Sequence, residues 1–183
     1  MRMGVFCGAA SGHSERYVQA GRRLGTAMAQ RGVELVYGAG STGMMGAVAE
    51  TVLAGGGMAI GVTPQEFITA EEVRLDLTEL RVVDGMHARK ATMAELADAF
   101  LILPGGIGTL DEFFEIWTWS ALGMHDKPIA LADVDGFFQP LLAMITHMVG
   151  EGFLREPARD RLLVDADPVR LLDRLAPVTS SAA

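Results

Sequence analysis

Short apolar runs alternate with longer segments of helical periodicity along the chain. The apolar runs predict strands at residues 4–7, 34–37, 60–63, 80–83, 100–103, 129–132 and 162–164. The helical segments predict helices at residues 14–30, 44–53, 86–97, 109–122, 138–149 and 168–175. Strands that alternate with helices in this way favour a parallel sheet with helices on both faces.

The predicted fold is therefore α/β, with a Rossmann-like, doubly wound parallel sheet. In such sheets ligands bind beyond the carboxyl ends of the strands, so the loops that follow strands are the candidate sites. The chain has 183 residues and a mass of 19.5 kDa, which fits one domain. We assign residues 1–177 to that single domain and residues 178–183 to a disordered tail.

The segment 64–77 carries several charges and has little clear periodicity. We predict an irregular connection that can include one short helical turn. Two interpretations stay open from the sequence, because such a segment can be a solvated surface loop or a lid over the site.

Charge and cysteine content exclude several classes of protein. A net charge of −8 and a pI near 4.9 oppose non-specific binding to nucleic acid, which depends on clustered Lys and Arg. The single cysteine, Cys7, excludes an intrachain disulfide, and no cluster of metal ligands is visible, so we predict no metal site. The first apolar run is too short for a signal peptide or a membrane span, so we expect a cytoplasmic protein without a membrane partner.

The stretch from Phe100 to Trp119 has the sequence pattern of a phosphate site. An apolar run ends at Pro104, and Gly105, Gly106 and Gly108 follow it before a predicted helix. A strand, a glycine loop and a helix N-terminus together present backbone N–H groups to an anion. The pattern is not a P-loop, because no Gly-Lys-Ser/Thr ends it.

Glu112 has two interpretations. Thr109 followed by Glu112 fits a capping box, in which both side chains only secure the start of a helix. Alternatively, Glu112 performs chemistry beside the bound phosphate. Glu115, three residues further on, would lie on the same side of the helix.

Arg89 and Lys90 lie near the start of a predicted helix, where positive charge is unfavourable because of the helix dipole. A bound anion would reverse that preference, so the two residues are candidates for a binding site. The alternative is a pair of solvated cations on the surface.

Two further glycine loops follow strands. The loop from Gly8 to Gly12 permits close approach of a ligand, although it also fits a plain turn. The loop from Gly38 to Gly43 reads G-x-G-x-x-G, the pattern of a dinucleotide site. That site also needs an acidic residue at the end of the next strand, and Pro64 stands there, which argues against a dinucleotide. A phosphate or ribose contact from this loop, at Gly40, stays open.

Two motifs resemble those of the LONELY GUY family. Residues 104–112 read PGGIGTLDE and match its PGGxGTxxE motif, and residues 86–90 read MHARK and match its preceding motif. Shorter matches occur in the same order at residues 5–8, 36–38, 43–46, 127–128 and 152–153. The resemblance covers roughly residues 3–155. Where the family commonly has serines this chain has Ala9 and Ala10, and Ala39 replaces a glycine.

Members of this family are cytokinin riboside 5'-monophosphate phosphoribohydrolases, often mislabelled as lysine decarboxylases. The resemblance implies a nucleotide-binding domain that hydrolyses the N-glycosidic bond of N6-modified, prenylated AMP, and of AMP as an extension. The products are the free base and ribose 5-phosphate, and no cofactor is needed. A small-molecule nucleoside monophosphate is the expected partner, and a homodimer is expected because family members form dimers.

The same resemblance assigns roles to residues. Arg89 and Glu112 are expected to be catalytic, with Glu115 holding the ribose hydroxyls. The 5'-phosphate is expected at Gly105, Gly106, Gly108 and Thr109. Further predicted substrate contacts are Gly8, Gly40, Met86 and Lys90.

Two rival functions belong to other classes. A pyridoxal-phosphate decarboxylase requires a Schiff-base lysine, and Lys90 and Lys127 are the lysines of the chain. A non-catalytic nucleotide-binding or carrier protein of the same fold would not need Arg89 or Glu112, and the presence of both residues argues against it.

Overall fold

The computed structural model describes residues 1–68 and 73–176. These residues form one parallel sheet in the order β4-β3-β2-β1-β5-β6-β7. The strands are β1 Arg2–Phe6, β2 Glu34–Tyr37, β3 Ala59–Pro64, β4 Glu79–Val83, β5 Ala99–Ile102, β6 Ile129–Ala132 and β7 Leu162–Asp165. The helices are α1 Glu15–Gln30, α2 Gly43–Ala54, α3 Gln65–Ile68, α4 Gly85–Leu96, α5 Ile107–Ala121, α6 Gln139–Gly150, α7 Glu156–Asp160 and α8 Pro168–Leu175.

Alternating side chains of the central strands build two hydrophobic cores. Leu101 of β5 packs into one core with α1, α2 and α8, whereas Phe100 and Ile102 pack into the other with α4, α5 and α6. Strands covered on both faces read as continuous apolar runs, which is why the sequence reveals them. The predicted doubly wound α/β fold is confirmed.

Most predicted elements lie within one or two residues of the observed ones, and β2 and β6 match in full. Asp167 caps α8 as its side chain accepts a hydrogen bond from the Val169 N–H at 2.9 Å. Helix α7 was not predicted from the sequence. It is short, with no buried residue of its own, and it is held by the Trp117 indole, which donates to the Ala158 carbonyl at 3.0 Å.

The start of α5 differs from the prediction in a way that matters for function. The helix begins at Ile107, with Gly106 as its N-cap, rather than at Thr109. Gly106 offers no side chain to cap the helix, so no Ser, Thr or Asp signal marked the boundary. Thr109 is consequently a buried residue of the first turn.

The strand order reverses between β1 and β5, and this reversal fixes the position of the site. From β1 the chain proceeds outward to β4 on one side, and from β5 it proceeds to β7 on the other. The loops after β1 and β5 therefore diverge and leave a crevice at the carboxyl edge of the sheet.

The connection between β3 and β4 contains the short helix α3, as predicted, and then pairs briefly with the second glycine loop. Val73 forms an isolated bridge with Gly40, and the Arg74 N–H donates to the Ala39 carbonyl at 2.8 Å. Residues 69–72 and the predicted tail at 178–183 lie outside the described residues. Within the described part of the chain, no helix is both long and apolar enough to cross a bilayer.

Candidate active site

A cavity of about 470 Å³ occupies the crevice between the loops that follow β1 and β5. The backbones of these loops are joined, because the Gly8 N–H donates to the Pro104 carbonyl at 3.1 Å. Predicted site residues that line the cavity are Gly8, Met86, Arg89, Gly105, Gly106, Gly108, Thr109 and Glu112. Predicted site residues outside its lining are Gly40, Lys90 and Glu115.

The N-terminus of α5 opens into this cavity. The Leu110 N–H bonds to the Gly106 carbonyl at 3.1 Å, and the preceding N–H groups of a helix have no carbonyl within it to bond. Beside the α-carbons of Gly106 and Gly108 the space is open. These features leave room for an anion against the positive end of the helix dipole.

Gly105 has a different role from its neighbours in the loop. A β-carbon on Gly105 would overlap the Thr109 hydroxyl and crowd the Gly8 nitrogen at 2.7 Å. The loop therefore needs glycine here so that it can pack tightly against its own helix and against the loop that follows β1.

The N-terminus of α2, in contrast, is already occupied. The Gly8 carbonyl accepts hydrogen bonds from the N–H groups of Met44 and Met45 at 3.1 and 3.3 Å. Gly40 packs against the Met45 side chain, which a β-carbon there would approach within 2.8 Å. Gly40 itself does not line the cavity, and the predicted phosphate or ribose contact from its loop stays a prediction.

Glu112 lies one helical turn beyond the open end of α5, with its side chain 11% exposed at the cavity wall. Burial raises the pKa of Glu112 from 4.5 to about 7, although the nearby Arg89 acts in the opposite direction. The carboxyl group therefore exchanges its proton near neutral pH. A carboxyl of this kind suits proton transfer and the stabilisation of developing positive charge.

The capping-box interpretation of Glu112 is wrong. The N-cap of α5 is Gly106, and no side chain makes a capping bond there. Glu112 lies in the second turn, beyond reach of the N-cap backbone in a capping box. A buried carboxyl group without a capping role is left facing the cavity.

Arg89 reaches the same point from α4. Its Nη2 lies 3.8 Å from Glu112 Oε1, an ion-pair contact that is too long for a hydrogen bond. Its Nε and Nη2 donate to the carbonyls of Val62 and Gly38 at 3.2 and 3.3 Å. These bonds orient the guanidinium toward the carboxylate, so the interpretation of Arg89 as a solvated cation is wrong.

Lys90 is also buried and does not line the cavity, although its partner Asp111 does. Its Nζ lies 3.0 Å from Asp111 Oδ2 and 3.1 Å from Glu115 Oε2. Burial lowers the pKa of Lys90, but Asp111 and Glu115 outweigh that effect and the net pKa is raised. Lys90 is therefore a fixed positive charge between two acids of α5.

Several residues that the sequence analysis did not identify complete the cavity. Tyr17 of α1 and Phe137, after β6, pack edge to face with ring centroids 5.6 Å apart, and both line it. Met44, Met45 and Ile107 are further apolar lining residues. Isolated aromatic and methionine positions resemble core residues in a sequence, so no local signal identified them.

The fold and the cavity define an α/β protein whose sheet carries, at its switch point, an open helix N-terminus beside a buried carboxylate and guanidinium. Within the described residues, no group of three or more His, Cys, Asp or Glu side chains could hold a metal ion. The open helix N-terminus and the guanidinium are features that suit an anion.

Comparisons with known proteins identify the family. A family model described as "Possible lysine decarboxylase" matches residues 45–175. The chain is 47% identical over 171 residues to the cytokinin riboside 5'-monophosphate phosphoribohydrolase LOG of Oryza sativa subsp. japonica, covering 93% of this chain and 70% of that protein. It is 46% identical over 164 residues to the cytokinin riboside 5'-monophosphate phosphoribohydrolase of Rhodococcoides fascians, covering 89% and 83%. The chain belongs to the LONELY GUY family, as its motifs predict.

Solved structures of more distant proteins share the fold. The Moco carrier protein from Chlamydomonas reinhardtii superimposes with a TM-score of 0.74 at 19% identity, covering 99% of this chain and 98% of that one. At this level of identity the likeness concerns the Rossmann-like fold alone.

Proposed function

We propose that this protein is a nucleoside 5'-monophosphate phosphoribohydrolase that acts on N6-modified AMP, and on AMP itself. The observation that carries the proposal is the position of the Glu112 and Arg89 pair, one helical turn from the open N-terminus of α5. Relatives with this activity in their names are 42–47% identical to the chain, which supports the same reaction here.

The 5'-phosphate binds at the start of α5. Gly106 and Gly108 leave space for it, and the N–H groups of the first turn donate to its oxygens. Anchoring the phosphate there brings the ribose to the level of Glu112, because the sugar is the next group along the nucleotide. Binding energy from the remote phosphate then positions the reacting carbon.

Glu112 acts on the sugar. As the bond between C1' and the base breaks, positive charge develops on the ribose, and an ionised carboxylate beside it lowers the energy of that state. Water adds to C1', and Glu112 accepts its proton. The departing base takes up a proton from solvent and Glu112 releases its proton to solvent, so one water is consumed and the products are the free base and ribose 5-phosphate. Arg89 orients the carboxylate and favours its ionised form.

A decarboxylase that uses pyridoxal phosphate does not fit the lysines. Lys90 is paired with Asp111 and Glu115 and does not itself line the cavity. Lys127 donates to the Ala94 carbonyl at 2.7 Å and does not line the cavity either. A Schiff base requires a lysine that projects into the site.

An assay of base release tests the proposal. It compares the rates for AMP and prenylated AMP with the rates for the corresponding nucleosides. The monophosphates should be hydrolysed and the nucleosides should be very poor substrates, because they lack the group that α5 binds. E112Q and R89A should each lower kcat/KM by about 10³-fold while remaining folded. Equal turnover of nucleoside and monophosphate would contradict the phosphate site, and a folded wild-type protein without hydrolysis would favour a carrier.

We also infer a homodimer. Large apolar side chains project from α5, α6 and the segments after them, and among the exposed ones are Leu122, Met124, Met144 and Phe153. Apolar surface of this kind marks a protein interface. Sedimentation velocity tests this inference, since a monomer at micromolar concentration would contradict it. The cytoplasmic location remains a prediction from the sequence.

A further inference from the structure

Lys90 holds two acidic side chains that lie next to the proposed catalytic carboxyl group. Asp111 precedes Glu112 in α5, and Glu115 follows it by almost one turn. The Lys90 side chain is 11% exposed, and its ammonium is within 3.1 Å of both acids. Because Lys90 does not line the cavity, its charge acts on Glu112 across the intervening space and by offsetting these two acids, and not by contact with a ligand.

The charged groups around Glu112 have opposite effects on its ionisation. From α4, Arg89 and Lys90 favour the ionised form of Glu112, whereas Asp111 and Glu115 on its own helix disfavour it. In the loop after β1, the thiol of Cys7 interacts electrostatically with Glu112, and burial raises the pKa of that thiol well above its ordinary value. Of the two cations Arg89 has the larger influence on Glu112, and Lys90 in addition offsets the two acids that it contacts.

We propose that Lys90 is a positioning residue that keeps the Glu112 carboxylate ionised by neutralising Asp111 and Glu115, and that it does not bind the substrate. This role replaces the substrate contacts that the sequence predicted for Lys90 and Glu115. The consequence for rate rests on the proposed function, whereas the electrostatic role can be measured without it.

The two acids contribute unequally. The Asp111 side chain is 57% exposed, so water screens its charge. The Glu115 side chain is 24% exposed, and its buried Oε2 lies near Lys90 without a hydrogen bond of good geometry. Loss of Lys90 therefore leaves Glu115 as the less screened negative charge beside Glu112. The influence of Lys90 is expected to pass mainly through Glu115.

A direct titration of Glu112 tests the proposal independently of activity. Carboxyl carbons of ¹³C-labelled glutamate are followed by NMR against pH, and the Glu112 signal is assigned by its loss in E112Q. The Glu112 midpoint should rise by about one unit in K90M and remain near the wild-type value in K90R. It should return toward the wild-type value in K90M/E115Q, and less completely in K90M/D111N.

The rate should follow the same midpoint. With the midpoint moved from about 7 to about 8, kcat/KM of K90M should be about 5-fold lower than wild type at pH 7 and nearly equal to it at pH 9. The substrate titrates identically in every variant, so its contribution cancels in these ratios.

An unchanged Glu112 midpoint in K90M would overturn the proposal. So would a loss of kcat/KM in K90M that is equal at every pH. A higher KM for the monophosphate, with no shift in the pH dependence of kcat/KM, would also overturn it. If K90M does not fold, K90Q removes the charge but keeps a hydrogen-bond donor, and the same outcomes apply. A wild-type protein that hydrolyses no monophosphate would contradict the proposed function, and the NMR comparison would still decide the role of Lys90.

Discussion

Arg89 Nη2 donates a hydrogen bond to the Gly38 carbonyl at 3.3 Å, and its guanidinium fills the space where a side chain at position 38 would begin. Gly38 belongs to the G-x-G-x-x-G segment, which the sequence connects with phosphate binding. Its observed function is to admit the guanidinium, so that Arg89 can lie beside Glu112.

The substitution G38A should therefore disable the enzyme without unfolding it. A methyl group at position 38 would overlap Arg89 Nη2 and displace it from Glu112. We expect kcat/KM for AMP to fall by about 10²-fold, the effect of a displacement of roughly 1 Å in an active site. Steady-state kinetics and circular dichroism measure the two properties.

The matched control is G150A at the end of α6, where a β-carbon would meet no atom within 4 Å. It should leave kcat/KM unchanged. If G38A retained wild-type kcat/KM, the observed position of Arg89 would not be the one that catalysis uses.

Removal of the Glu112 charge should stabilise the protein at high pH. The folded pKa, about 7, is above the ordinary value of 4.5, so the contribution of this group to stability is full below pH 4.5 and is lost as the pH rises through 7. E112Q cannot ionise. Its free energy of unfolding relative to wild type should increase by about 3 kcal/mol between acidic and mildly alkaline pH.

Urea denaturation of both proteins at a series of pH values measures this difference. Glu95, an exposed acid of α4, supplies the control E95Q, which should remain within about 0.5 kcal/mol of wild type throughout. A constant difference between E112Q and wild type would show that burial does not perturb Glu112.

Activity should rise with pH through the same range. Glu112 acts in its ionised form, so kcat/KM should follow a titration with a midpoint of about 7. The substrate phosphate also titrates, with a pKa of about 6, so rates are to be expressed per concentration of its dianion. A flat profile from acid to neutral pH after this correction would disagree with the proposed role of Glu112.

Adjacent glycines of the phosphate loop should respond differently to alanine. G106A places a methyl group in open space within the cavity, so stability should be preserved while KM for the monophosphate rises about tenfold, equivalent to ~1.4 kcal/mol. G105A forces a methyl group onto the Thr109 hydroxyl and should lower the free energy of unfolding by about 1–3 kcal/mol. Equal effects of the two substitutions on KM and on stability would refute the division of roles within the loop.

The strands and the class of fold could be predicted because every central strand is an apolar run covered on both faces. The ends of elements were harder to predict where the backbone, and not a side chain, marks the boundary. Helix α5 is capped by Gly106, which has no side chain, and the nearest apparent cap, Thr109, lies inside the helix. Helix α7 lacks a buried residue, so no periodicity could mark it.

Site residues could be predicted where they belong to a sequence motif. Their arrangement could not be predicted where it depends on contacts between segments that are far apart in the sequence. The sequence identifies Arg89 and Glu112 as candidates but cannot place one beside the other. It treats Lys90 like its neighbour Arg89, although adjacent positions on a helix project in different directions. Tyr17 and Phe137 meet only because the fold brings the segment after β6 against the start of α1, where Arg16 also bonds to Asp135.

The Gly8 carbonyl limits how many helix N-termini at this crevice are free to bind a phosphate. Rossmann-like sheets offer a helix N-terminus on each side of the crevice, and here the Gly8 carbonyl occupies the one that belongs to α2. A pyrophosphate would have to displace that carbonyl from Met44 and Met45. Under the proposed function, backbone of the protein itself takes the place of a second anion, and the start of α5 alone is left to bind one terminal phosphate.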